Sequence, residues 1–181
     1  MAENDKNYGM LVDYITGKTI PNVGTEEIRQ RVEQYLVEEK GYNKEDICVD
    51  ADIEIDIDGS RYVSQLDLVI SVENSNVMVI KCAAGSLESR EREVISASRI
   101  FASSPIPYAV ASDSKTAVIY DSANGKKVGE GLSEIPSRLE AIGFLKEFKP
   151  MAFSDKKLEK EKIIFRSYDS MNVNVCRKIS I

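Results

Sequence analysis

The chain has 181 residues and no histidine. That one absence excludes Ser-His-Asp and Cys-His catalysis, and His-ligated zinc with them. Any catalysis has to run on carboxylates, lysines, hydroxyls or a metal-bound water. Cysteine is nearly as scarce: Cys48, Cys82 and Cys176 lie far apart and form no C-x-x-C pair. Three dispersed thiols fit a reducing compartment better than a disulfide framework. No apolar run is long enough to span a bilayer, and no Asn-x-Ser/Thr acceptor occurs. The N-terminal MAENDKNYGM has no basic stretch ahead of an apolar one. Neither a secretory leader nor a membrane partner is therefore expected, and the expected location is cytoplasmic. Positive charge is also in deficit, with 24 Lys and Arg against 30 Asp and Glu and a net charge of -6. A broad grip on nucleic-acid phosphates needs the opposite balance.

What remains is the composition of one ordinary globular domain, 43% hydrophobic and 30% charged, long enough to bury a core without staples. Residues 1–24 are polar and turn-rich and read as a loosely structured arm, with Tyr8, Leu11, Tyr14 and Ile15 as anchors. Residues 25–150 form the expected core, and residues 151–181 a C-terminal helix and tail packing on it. Thr25 caps a helix running to about Lys40, with Ile28, Val32, Tyr35 and Leu36 on one stripe and Gly41 at its end. From Ile47 to Asp58 the alternation is nearly unbroken. Val49, Ala51, Ile53, Ile55 and Ile57 are expected on one face, and Asp50, Asp52, Glu54, Asp56 and Asp58 on a solvated one. Strands follow at Tyr62–Val72, Val77–Ala83, Tyr108–Ser112 and Thr116–Tyr120. Helices are expected from Glu88 to Ser103, from Pro136 to Phe148, and from Asp155 to Ser170, the last with Leu158, Phe165, Tyr168 and Met171 near one side. The order predicts an α/β fold, a mixed central sheet flanked by helices.

The stretch Gln65–Gly85, QLDLVISVENSNVMVIKCAAG, carries the chemistry. It reads as a hairpin with Asp67 in one strand and Lys81 near the end of the next. Neither charge belongs in a buried strand without a partner. Alternation puts Val79, Lys81 and Ala83 on one face of the second strand and Met78, Ile80 and Cys82 on the other. A carboxylate and an amine on neighbouring strands are the minimum of a metal-dependent phosphodiesterase site, in which acids hold Mg²⁺ and a lysine orients the attacking water.

Several blocks in a fixed order carry a family resemblance. TEEIRQRVEQYLVEEKGYNKEDI, then LDLVI, then the apolar strand, then PYAVASDSKTAVIYDSANGKKVGEG are similar to the N-terminal nuclease domain of type I restriction enzyme R subunits. That domain belongs to the PD-(D/E)xK nuclease superfamily. The resemblance implies a restriction-endonuclease-like fold, with Asp67 at the metal-binding position and Glu26 as a supporting acid on the first helix. It also implies DNA as a partner, with a second protein or a second copy of the chain as the alternative. The strand that follows departs from the pattern. Where the family has acid-x-lysine, this chain has Lys81-Cys82-Ala83; sliding by two makes Lys81 the catalytic lysine but leaves Val79 in place of the acid.

Either way one carboxylate is missing, and three readings stay open. The motif is degenerate, with Lys81 and Asp67 paired as a buried salt bridge that leaves the domain a binding or interaction module without a cofactor. Or a relocated acid (Glu73, Glu88 or Glu91) completes a working Mg²⁺ site with Asp67 and Lys81. Or the chain binds a phosphate or nucleotide at the helix start Ser86–Arg92, through Ser86, Arg90 and Arg92.

Overall fold

The computed structural model describes residues 9–171; Tyr8, Cys176 and the tail beyond Met171 lie outside them. The two long strands β3 (Ile47–Ile57) and β4 (Ser60–Val72) form the first hairpin of a six-stranded sheet. The sheet continues through β5 (Ser75–Cys82), β6 (Tyr108–Ser112), β7 (Ala117–Asp121) and β8 (Lys127–Glu130), in chain order. Neighbours are antiparallel except β5 and β6, which run parallel and are joined through helix α2 (Glu91–Ile100). Such a parallel step needs a crossover, and α2 supplies it. Helices α1 (Glu26–Glu38) and α3 (Arg138–Glu147) cover one face, while α2 and α4 (Asp155–Met171) cover the other. The expected mixed, helix-flanked sheet is what forms. Among the described residues no helix is long and apolar enough to cross a membrane.

Three local features differ from the sequence expectation. Residues 9–24 are not a loose arm: β1 (Met10–Val12) and β2 (Thr19–Pro21) pair as a small antiparallel sheet. Its turn is tied by Asp13, whose carboxylate accepts from the Thr16 amide at 2.7 Å. Strand β8 was not foreseen either, because Lys127-Val128-Gly129-Glu130 is short and mostly exposed. The helix expected from Glu88 begins with a single 3-10 turn, Glu88–Arg90, before α2 proper.

The fourth difference reshapes the core. Val49 does not share a face with Ala51. Ile47 and Val49 pack with α1 and α3, while Ala51, Ile53, Ile55 and Ile57 pack with α2 and α4. The reason is local: Asp50 has φ 50, a left-handed conformation that breaks the two-residue repeat. Strand β4 switches in step, with Leu66 in the α2/α4 cluster and Leu68 in the α1/α3 cluster. The β3–β4 register runs Val49 to Leu68 and Ala51 to Leu66, stepping over Asp50 and Asp67. Asp67 therefore lies where the sheet exchanges its faces.

Helix α4 also differs in the character of its inner face. Glu161, Phe165 and Asp169 are its buried residues, spaced by four, while Met171 is exposed. Glu161 accepts from Arg99 at 2.6 Å and from Ser96 at 2.8 Å, and Asp169 accepts from the Tyr62 hydroxyl at 2.6 Å. Partners of this kind are what allow carboxylates to replace apolar residues on an inward stripe.

Candidate functional site

Asp67 is 1% exposed, and its Oδ2 accepts the backbone N–H of Cys82 at 2.8 Å. The β4–β5 ladder is registered as far as Leu68 and Ile80, so this carboxylate takes over as acceptor just past that pair. Lys81 leaves β5 on the same face as Val79 and Ala83, as alternation predicts. Its Nζ is 3.6 Å from Asp67 Oδ2, an ion-pair distance beyond normal hydrogen-bond length. It is 3.1 Å from Glu93 Oε1 on α2. Glu93 is 2% exposed, and its Oε2 is 3.6 Å from Arg90 Nη1. The cleft around these groups measures about 10 Å³ and is closed by Val94, Ala97 and Phe165. That is room for about one water molecule.

The structure thus joins Asp67 and Lys81 and adds an acid the sequence reading passed over. Glu73 sits in the β4–β5 turn at φ 50, and Glu88 is exposed. Glu93, two residues past Glu91, is the carboxylate the fold turns inward. Its signal was present: Glu93, Val94 and Ala97 recur at helical spacing on the buried side of α2. Of the phosphate candidates, Ser86 is exposed and its carbonyl accepts from Ser89 at 2.7 Å, while Arg92 is exposed and Arg90 reaches Glu93.

Glu26 is drawn to Arg29 on α1. It accepts from Arg29 Nε at 3.0 Å and pairs with Nη2. The same guanidinium binds Asp13 at 2.8 Å and Glu33 at 2.7 Å, and all four side chains are buried. Burial works against the charge on Arg29, but Glu26 and Glu33 outweigh it and hold the guanidinium above its ordinary range. Burial pushes Glu33 up to about 7, and Arg29 offsets that only in part. Cys82, buried within electrostatic reach of both groups of charges, has its thiol pushed well up by burial and then by Asp67.

A Mg²⁺ ion prefers octahedral oxygen ligands and keeps several of its waters. The residues around Lys81 do not fit one as arranged. Among the described residues two carboxylates already face two cations, and the cleft has no space for a hydrated ion. Among the described residues no three acids or cysteines converge as a ligand set.

A six-stranded mixed sheet with helices on both faces is consistent with a restriction-endonuclease-like fold. The family model of the type I restriction enzyme R protein N terminus matches residues 24–136. The chain belongs to that family. The match takes in α1, all six strands of the main sheet and α2, and stops before α3 and α4. No curated protein and no solved structure matches the chain.

Proposed function

We propose that this domain keeps the PD-(D/E)xK framework with a degenerate catalytic motif and acts as a binding or interaction module of a restriction system in the cytoplasm. The observation that carries this is the position of Lys81. It lies between two buried carboxylates, at 3.6 and 3.1 Å, where its charge does the neutralising that a metal would do in a working site. The net charge of -6 favours a protein partner, a second copy included, over an unspecific hold on DNA.

A second proposal has one observation in its favour. Glu93 supplies the carboxylate that Val79 does not, so Asp67, Lys81 and Glu93 together make up the side-chain set of a Mg²⁺-dependent endonuclease. One experiment separates the two. Mn²⁺ is titrated calorimetrically into wild type and Asp67→Asn, and both are incubated with supercoiled plasmid and Mg²⁺ or Mn²⁺. The degenerate motif predicts no saturable metal binding and no cleavage above the Asp67→Asn background. Metal binding with cleavage, both lost in Asp67→Asn, would establish the endonuclease instead.

A further inference from the structure

A second and roomier cleft lies away from Lys81, at the opposite end of β6. Lys81 is level with Ala111, whereas the cleft begins at Tyr108 and the Pro105–Pro107 segment before it. It measures about 390 Å³, within the range of small-ligand sites. Its wall is aromatic: Tyr108, Phe144 and Phe148 follow one another with ring centroids 5.1 Å apart at each step. Phe144 is 37% exposed and belongs to the lining.

Three charged residues belong to the lining, Asp121, Glu134 and Lys149, the last two exposed. Among the described residues, no hydrogen bond or ion pair takes up the Glu134 carboxylate or the Lys149 amine. The other acid of the cleft, Asp121, is spent on its own turn, accepting from the Ala123 amide and the Asn124 side chain at 2.7 Å each. Glu134 comes close because residue 129 is glycine: a Cβ there would stand 2.9 Å from the Cβ of Glu134.

We propose that this cleft binds a guanine base, independently of what the Asp67–Lys81–Glu93 group does. A planar heterocycle suits the partly exposed Phe144 ring, as bases stack on aromatic side chains. A carboxylate only accepts hydrogen bonds, so it selects a base edge with adjacent donors. Guanine offers two, its N1–H and its exocyclic amine, and adenine does not. Lys149, an exposed member of the lining, then meets the phosphate of the same nucleotide. A free guanine nucleotide and an unpaired guanine in a strand present the same chemistry.

The test is calorimetric titration of the full chain with GMP, AMP and guanosine, repeated for Glu134→Gln, Phe144→Ala and Lys149→Met. The wild type is expected to prefer GMP over AMP by about tenfold or more, the usual effect of losing charge-assisted hydrogen bonds. Glu134→Gln, nearly the same shape, should erase that preference. Lys149→Met should weaken GMP and leave guanosine unchanged, and Phe144→Ala should weaken all three. Competition by an oligothymidylate carrying one deoxyguanosine would assign the site to a strand, and its failure to compete to the free nucleotide. Absence of saturable GMP binding, equal binding of AMP, or an unchanged preference in Glu134→Gln would overturn the proposal.

Discussion

The two buried charge groups of this domain solve one problem in opposite ways. Around Lys81, two carboxylates face two cations, and Lys81 keeps 19% of its side chain in contact with solvent. Around Arg29, three carboxylates share one cation that is 1% exposed. Among the described residues the first group pairs its acids and cations evenly. The second carries an acid excess, and Glu33 answers by holding its proton to about pH 7. Buried charge need not be matched ion for ion; a proton on the least favoured acid serves as well. The contrast also separates roles. The Arg29 group ties the β1–β2 turn to α1 through Asp13, whereas the Lys81 group joins two strands to α2.

The sharpest break in this comparison comes from removing each central cation. Arg29→Met leaves three buried acids around an apolar chain and should cost about 3–5 kcal/mol in denaturant unfolding. Lys81→Met should cost less, about 1–3 kcal/mol, because Arg90 still faces Glu93 and Lys81 is itself 19% exposed. Equal losses would show that the two groups are not different in kind. The smallest effect concerns Glu33. Its carboxyl titrates near 7 in the fold against an ordinary 4.5, so the folded chain holds a proton that the unfolded chain has released. Stability from this group therefore falls as pH rises from about 4.5 to about 7 and is level above that. Glu33→Gln should remove that slope and stabilise the protein at pH 8 by roughly 1–2 kcal/mol, measured as unfolding midpoints at pH 5 and pH 8. A variant that keeps the wild-type slope would place the proton elsewhere.

Much of this was legible in the chain itself. Asp67 and Lys81 meet because they flank one short turn, and pairing across a hairpin is the most local of tertiary contacts. Helix α1 declared itself through Ile28, Val32, Tyr35 and Leu36. Glu93 was missed for a different reason. Its proximity to Lys81 depends on how α2 crosses back over the sheet, which no local pattern specifies. The face change at Asp50 was hidden because Asp is an ordinary residue on an acidic strand, and its left-handed φ leaves no glycine as a marker. Strands β1, β2 and β8 are three or four residues long, too short for a period to show. On α4 the inward stripe is Glu161, Phe165 and Asp169, so a search for apolar spacing finds only its middle member.

The exchange of faces in β3 and β4 has a consequence for how the molecule comes apart. In an edge hairpin with regular alternation the buried face packs on one helical layer alone. Here the same two strands pass from one layer to the other at Asp50 and Asp67, so the start of β3 and the end of β4 anchor α1 and α3, while the end of β3 and the start of β4 anchor α2 and α4. Neither layer can be released without drawing on a backbone the other is holding. The two halves of the core are mechanically one cooperative unit, threaded together at the position of the Asp67 carboxylate.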